Sequence, residues 1–353
     1  MNQITMKWMA GLCFLAILYS LWMLNPRQQI SAQKAVYHWK TNFYWSAEPN
    51  DVRKFLNAHG IQKLYIKMLD VDYSKASGIL PVSKTSFNYY SDYKKDSIEF
   101  VPVVYLSNEV FKRMLPQDRD EYAKKVLSHV LRIQTYTHYW PKEIQFDCDW
   151  TVDTKEAYFD FIIRCKKWAP QFSYSSTLRL YPYKYREKLG VPPVNRVMLM
   201  LYNLQNAKNM ANANSLFSLQ EALKYLKRKD YPLPMDVALP VFSWTIIFRN
   251  GQFYRVISDN IIPKLDSEVQ LKPLTNNKFL VEFSPRNFND YDLKAGDILK
   301  VETCGEKELV QANSLLKILP ITQASTVALF DLDMNELNKI SYEKIEAAFT
   351  ISR

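Results

Sequence analysis

Three pairs of aspartates, each separated by one residue, stand at the ends of apolar, strand-like runs. The pairs are Asp70 and Asp72, Asp147 and Asp149, and Asp331 and Asp333. Side chains alternate along a strand, so both members of a pair are expected on one face. Two neighbouring carboxylates resist joint ionisation, so one pKa in each pair should rise. Such pairs suit acid–base cleavage of a glycosidic bond or cation binding by oxygen ligands. The alternative is that these aspartates simply end strands and cap the next helix.

Aromatic and amide side chains share these strand ends. Flat apolar rings with polar rims can stack on sugar rings. We therefore predict a carbohydrate-type groove with two sets of residues. The candidate catalytic residues are Asp147, Asp149 and Tyr202, and the candidate substrate-binding residues are Trp150, Asn203, Trp244, Asp70, Asp72 and Asp331.

Other common chemistries are excluded by spacing. None of the seven glycines lies two, four or five residues from another, which excludes the G-x-G-x-x-G and phosphate-loop motifs and the G-x-S-x-G elbow. The four cysteines form no C-x-x-C pair, and the four histidines form no H-E-x-x-H motif. We accordingly predict no metal site and no cofactor.

The formal net charge of +10 raises the question of a nucleic-acid partner. The basic residues, however, are scattered among acids, and the densest group, residues 224–229, falls at the end of a predicted helix, where cations complement the helix dipole. We predict no nucleic-acid binding. A basic chain also suits a membrane surface or acidic polymers.

An uncharged, mainly apolar run over residues 8–24 is long enough to span a bilayer. We interpret residues 1–7 as a leader, 8–24 as a transmembrane anchor and 25–34 as a tether. A cleaved signal peptide is the alternative, although the small-residue cleavage pattern is poor. The flanking positive charges nearly balance, so orientation rests on the short leader, which is typical of export. We expect the lipid bilayer as a partner and an extracytoplasmic location, or secretion if the segment is cleaved.

Strand-like runs alternate with helical patterns along the rest of the chain, which indicates a parallel sheet with helical crossovers. Eight such strands predict a closed (β/α)8 barrel of the TIM type. The predicted strands are Ala35–Tyr44, Lys63–Asp72, Ile98–Ser107, Glu143–Trp150, Ser173–Leu180, Arg196–Asn203, Met235–Trp244 and Thr326–Asp333. Predicted helix starts are Asp118, Asp153 and Ser218, each with a glutamate three residues later, and Gly60 should end the first helix.

The alternation breaks after the seventh strand. We assign residues 35–244 to barrel strands 1–7, 245–325 to a β-rich insertion or subdomain, and 326–353 to the last strand and helix. A separate C-terminal β domain beside a barrel with fewer strands is the alternative.

The fourth strand resembles the chitinase-type glycoside hydrolase signature D-G-x-D-x-D-x-E, with Asp147 and Asp149 on its second and third acids. Residues 200–203 (MLYN) resemble the Met-x-Tyr-Asp motif of that superfamily's sixth strand, and residues 238–242 (ALPVF) resemble its seventh-strand Leu-Pro run. The resemblance implies a barrel with an inserted α+β subdomain. In that family the inner acid pair positions the substrate's N-acetyl group and tunes the catalytic acid.

The departures from this signature affect the catalytic machinery. The catalytic acid of the family falls on Thr151, the sixth-strand aspartate on Asn203 and the first acid on Ile144. A hydroxyl cannot protonate a leaving oxygen near neutral pH, so the family's mechanism does not carry over. The chain also resembles an uncharacterised bacterial family of exported TIM-barrel proteins, in the fourth-strand pattern Gln145 to Asp149 and in residues 291–297. That resemblance implies no activity.

These observations lead to three hypotheses. The first is a membrane-anchored glycoside hydrolase with a rearranged acid, in which Asp149 is the acid or stabiliser, Asp147 tunes it and Tyr202 orients the sugar. The second is a non-catalytic glycan-binding barrel. The third is a structural protein of the cell envelope.

Overall fold

A computed structural model describes residues 29–45, 51–89, 98–132, 140–227, 230–265, 267–275, 277–285 and 291–352. The predicted membrane segment, residues 8–24, lies outside this range. Within the described residues, no helix combines the length and the apolar character needed to cross a bilayer.

Strands are numbered in chain order. They are β1 (Gln29–Ser31), β2 (Gln33–His38), β3 (Asn42–Trp45), β4 (Lys63–Ser74), β5 (Gly78–Lys84), β6 (Ser86–Tyr89), β7 (Glu99–Leu106), β8 (Glu143–Asp147), β9 (Ser173–Leu178), β10 (Arg196–Met200), β11 (Met235–Pro240), β12 (Ser243–Arg249), β13 (Gln252–Ile257), β14 (Gln270–Thr275), β15 (Lys278–Phe283), β16 (Ile298–Thr303), β17 (Thr326–Phe330) and β18 (Thr350–Ser352).

Helices are numbered in the same way. They are α1 (Asp51–Ala58), α2 (Asn108–Arg113), α3 (Arg119–Leu131), α4 (Lys155–Trp168), α5 (Leu180–Lys184), α6 (Arg186–Leu189), α7 (Leu219–Tyr225), α8 (Glu306–Ser314), α9 (Met334–Leu337) and α10 (Tyr342–Ala348). Short 3-10 turns cover Pro116–Asp118, Ile262–Lys264 and Leu316–Ile318.

Eight parallel strands form a closed barrel. Their order is β2, β4, β7, β8, β9, β10, β11 and β17, and the ring closes because β2 pairs with both β4 and β17. Strands such as β8 are buried on both faces, since helices cover the outside and side chains fill the inside. The predicted (β/α)8 barrel of the TIM type is therefore confirmed.

Several strands end elsewhere than predicted, which changes where candidate residues lie. The first predicted strand is two strands, because β3 leaves the barrel and pairs with β6. Strand β8 stops at Asp147, so Asp149 lies in the loop beyond it. The seventh predicted strand divides at residues 241–242 into β11 and β12, which belong to different sheets. Trp244 consequently lies on β12 and not at a barrel strand end.

A second sheet lies in the chain between barrel strands β11 and β17. It is antiparallel with the order β13-β12-β16-β15-β14. It has its own small apolar cluster, whose buried members are Ile247, Ile261, Val281, Leu293 and Leu299.

The helix boundaries test the predicted caps. The hydroxyl of Ser218 accepts from the N–H of Glu221 at 3.4 Å, as predicted for the start of α7. Asp118 precedes α3 but makes no side-chain cap bond. The prediction for Asp153 is wrong by one residue, because Thr154 precedes α4. Gly60 follows α1 with φ +60°, the left-handed conformation that commonly ends a helix.

Candidate functional site

Asp147 is the last residue of β8 and points into the barrel. Its neighbours along the strand alternate, and the inward-facing Gln145 accepts a hydrogen bond at 2.6 Å from the hydroxyl of Tyr37 across the barrel. The Asp147 carboxylate is only 7% exposed and accepts from the Thr177 hydroxyl at 2.6 Å. Burial raises its pKa to about 7, and the nearby Asp149 carboxylate adds to the rise. The predicted pKa rise within this pair is confirmed, with burial as the larger cause.

Arg179 connects three strand ends at the barrel mouth. It follows β9, and its Nη1 donates to Oδ2 of Asp149 at 2.7 Å. Its Nη2 donates to the carbonyl oxygen of Asn203, just beyond β10, at 2.5 Å. Asn203 holds a left-handed backbone with φ 56°, a conformation that asparagine tolerates better than most residues. The Arg179 guanidinium thus fixes the loops that follow β8 and β10.

Tyr202 also lies beyond β10, but its side chain is only 3% exposed. Its ring stacks on Phe330 with centroids 4.5 Å apart and meets Phe242 edge-on at 5.6 Å. Burial raises the pKa of its hydroxyl well above the usual value, and the Asp147 and Asp331 carboxylates act in the same direction. The Tyr202 hydroxyl is therefore a neutral hydrogen-bonding group at physiological pH.

A pocket of about 240 Å³ opens at this end of the barrel. Four predicted site residues line it: Asp149, Trp150, Tyr202 and Asn203. The other lining residues are Cys148, Arg179, Leu180, Tyr181, Pro182, Leu204 and Tyr225. Asp147, which directly precedes the lining residue Cys148, is not part of this lining.

Trp150 contributes to the pocket from a buried position. It is 4% exposed, stacks on Tyr158 and donates its indole N–H to the carbonyl of Leu189 at 2.9 Å. The next residue, Gly190, has φ +77°, and a Cβ there would lie 2.7 Å from the Phe159 ring. Glycine is therefore required at position 190. This close approach to Phe159 positions the preceding Leu189 carbonyl, which accepts the Trp150 hydrogen bond.

Asp70 and Asp72 lie on the same barrel edge but do not line the pocket. Asp70 opposes Tyr105, which opposes Asp147, so the three occupy one row across β4, β7 and β8. Asp70 pairs with Lys67 at 3.0 Å, and its buried Oδ1 has no hydrogen-bond partner. Asp72 accepts from the N–H of Tyr73 at 2.7 Å and from the Ser107 hydroxyl.

Asp331 and Trp244 also lie outside the pocket lining. Burial raises the pKa of Asp331 to about 7 against the opposing effect of Lys40. Its neighbour Asp333 caps α9 by accepting from the N–H of Asn335 at 3.0 Å. Trp244 donates its indole N–H to Glu302, within the antiparallel sheet, at 2.9 Å.

Four residues that shape the site are not among the predicted catalytic or substrate-binding residues: Thr177, Arg179, Tyr181 and Tyr225. The period of two along β9 is a usable signal for the first two, because Ser175, Thr177 and Arg179 alternate with apolar or small outward residues. Tyr225 carries no such signal, since its position depends on how α7 packs beside α5. In the described part of the chain, no group of three or more His, Cys, Asp or Glu side chains is arranged to hold a metal ion.

No family model matches the sequence. Nor does a curated protein match it significantly. Solved structures do match. They include a fungal endo-β-N-acetylglucosaminidase of glycosyl hydrolase family 18, with 8% identity, 90% coverage of this chain, 97% coverage of the other and a TM-score of 0.47.

Two further matches have similar statistics. A family 18 N-acetylglucosaminidase from Paenibacillus barengoltzii shares 8% identity, with 90% and 99% coverage and a TM-score of 0.45. A chitinase-like agglutinin from Robinia pseudoacacia shares 9% identity, with 88% and 99% coverage and a TM-score of 0.38.

Proposed function

We propose that the pocket at the barrel mouth binds a glycan without cleaving it. The observation that carries this proposal is the combination of aromatic rings with a fixed set of hydrogen-bonding groups. Tyr181 and Tyr225 provide ring surface, while Asp149, Arg179 and Asn203 provide paired donors and acceptors. A sugar ring presents apolar C–H faces and a rim of hydroxyls, which such a lining complements.

The number and pairing of the carboxylates in the pocket favour binding over cleavage. Among the described residues that line the pocket, Asp149 is the one carboxylate, and Arg179 pairs with it at 2.7 Å. The Arg179 guanidinium occupies Oδ2 of this carboxylate, so the pair is arranged as a fixed donor and acceptor set for ligand hydroxyls. Thr151, at the position of the family's catalytic acid, is exposed and cannot take over the role.

A glycoside hydrolase is the second candidate, and one observation favours it. Asp147 has a pKa of about 7, so its carboxyl is partly protonated at neutral pH and suited to general-acid chemistry. In this alternative Asp147 donates the proton, and Asp149 is the second carboxylate.

Binding is tested with the full chain in detergent against a panel of bacterial and host glycans. We expect Arg179→Ala to weaken binding about 10- to 100-fold, because it removes charge-assisted hydrogen bonds and leaves Asp149 unpaired. Arg164→Ala is the matched control, since Arg164 has similar exposure and pairs with Asp160 on the outer helices. Failure of every glycan to bind would overturn the proposal.

The same samples are analysed for shortened products. Intact glycans after prolonged incubation support a binding protein. Cleavage that is lost in Asp147→Asn would instead establish the hydrolase and assign the acid.

We also propose that residues 8–24 tether the barrel to a membrane, with the barrel on the extracytoplasmic side. The support is the uncharged apolar run in the sequence. The test is extraction of cell membranes with alkaline carbonate, which should leave the full chain in the pellet but release a chain lacking residues 1–28. Release of both chains contradicts the tether, and a shortened N-terminus in the mature protein supports signal cleavage.

A further inference from the structure

Aromatic surface continues from the pocket onto the neighbouring helix. Tyr181 lines the pocket and is 47% exposed. Tyr185, one helical turn further on, is 39% exposed and does not line the pocket. The two ring centroids are only 4.7 Å apart, with the planes tilted by 51°. Together they form one ring surface that extends from the pocket rim across the outside of the barrel mouth.

This surface is held in place from below and from the side. The Tyr185 N–H donates to the carbonyl of Tyr181 at 3.0 Å, and the intervening Tyr183 is buried and stacks on Tyr231. The local turn therefore exposes Tyr181 and Tyr185 while Tyr183 anchors the segment in the core.

Lys184 joins this segment to α7. Its ammonium group lies 5.0 Å from the ring centroid of Tyr185 and 5.4 Å from that of Tyr225, and it donates to the carbonyl of Lys224 at 3.0 Å. Because Tyr225 also lines the pocket, one cation connects a pocket ring with a ring outside it. Cation–π contacts of this kind restrict ring orientation.

We propose that the ligand is an oligosaccharide, with one sugar in the pocket and the adjoining sugar over Tyr185. The proposal rests on the proposed glycan-binding function and specifies its ligand. Tyr185 lies outside the pocket lining while its ring contacts that of Tyr181, so a ligand that covers both rings must be longer than the pocket itself. Exposed aromatic rings that are continuous with a pocket are typical of binding surfaces.

The experiment is calorimetric titration of the full chain with β-1,4-linked glucose and β-1,4-linked N-acetylglucosamine, each from one to five units. We expect affinity to rise from one unit to two or three and then level off. In Tyr185→Ala this rise should shrink by roughly 2- to 10-fold while affinity for the monosaccharide stays unchanged. Tyr185→Phe should retain the rise, because it keeps the ring.

The control is Tyr342→Ala, which removes another exposed tyrosine, one that stacks on His59 ahead of the amino end of β4. It should leave both affinities unchanged. If glycans bind but the affinity of Tyr185→Ala rises with glycan length as in the wild type, the second subsite is wrong. The proposal that the pocket itself binds glycans is then unaffected. If no member of either series binds, the proposed function fails for these glycans, and the subsite fails with it.

Discussion

The surroundings of Asp147 change the chemistry of its carboxyl. Its carboxyl lies inside a ring of strands, accepts one hydrogen bond from Thr177 and faces the charge of Asp149. Ionisation there costs the free energy of hydration that a surface aspartate retains. The resulting pKa of about 7 means that the residue changes charge within the physiological range.

Replacement of Asp147 should change how stability depends on pH. The pKa is about 7 in the folded state against a usual value of 3.8, so the folded protein binds more protons than the unfolded chain between these values. The contribution of Asp147 to stability therefore falls as the pH rises through this range. Between pH 5 and pH 8, the free energy of unfolding of Asp147→Asn should rise by roughly 2.5 kcal/mol relative to that of the wild type.

Urea unfolding of both proteins at pH 5 and pH 8 measures this difference. Burial also raises the pKa of Asp331 to about 7 and that of Asp236 to about 6, so the wild-type protein should lose stability over the same range even apart from Asp147. Equal pH dependence in wild type and Asp147→Asn would show that Asp147 titrates normally.

At the scale of elements, short helices between the barrel strands position residues of the site. Helix α7 has seven residues and one fully buried apolar side chain, Ala222, yet it carries Tyr225 into the pocket lining. A helix this short has little stability of its own, so its end contacts matter. The Ser218 hydroxyl supplies one such contact at the first turn.

We expect Ser218→Ala to lower the free energy of unfolding by about 1 kcal/mol, because it leaves the Glu221 N–H without its cap. Ser218→Asp should restore most of the loss. Ser341→Ala is the matched control, since Ser341 precedes α10 without a side-chain cap bond and its loss should cost less than about 0.5 kcal/mol. Thermal unfolding compares the three variants, and equal effects at both serines would contradict the role of the Ser218 cap.

At the scale of the whole molecule, ion pairs lie inside one end of the barrel. At the amino ends of the strands, Lys63 donates to Glu143 at 2.7 Å, and Ser175 donates to the other Glu143 oxygen. Arg196 pairs with Asp236 at 2.6 Å nearby. These charges lie opposite the pocket, at the other end of the ring. They hold several strands together at the end away from the binding site.

Glu143→Gln should destabilise the protein by roughly 3–5 kcal/mol, because it leaves the buried Lys63 ammonium without its closest partner. The double variant Lys63→Met with Glu143→Leu should recover much of that loss, since no charge remains to be compensated. Glu121→Gln, which breaks an exposed pair with Lys125, should leave stability nearly unchanged, because solvent screens that pair. Urea unfolding distinguishes the outcomes, and a small effect of Glu143→Gln alone would show that water or Glu99 compensates Lys63.

The sequence by itself determined the barrel. Eight apolar runs separated by amphipathic segments can bury their strands only in a sheet covered by helices, and all eight strands are present. Because parallel strands end at the same edge, the sequence also determined that Asp149, Trp150, Tyr202 and Asn203 meet around one pocket.

Only the tertiary structure decided which of these side chains face solvent. The residue at which a strand ends and the path of the following loop depend on packing between distant elements. The local periodicity of the sequence carries no information about that packing. Asp147 is covered while Asp149 is exposed, and Trp244 belongs to another sheet. Arg179 reaches the pocket from the start of α5, and Tyr225 reaches it from the end of α7. Burial, and with it the pKa of each carboxyl, is a property of the closed ring and not of any one segment.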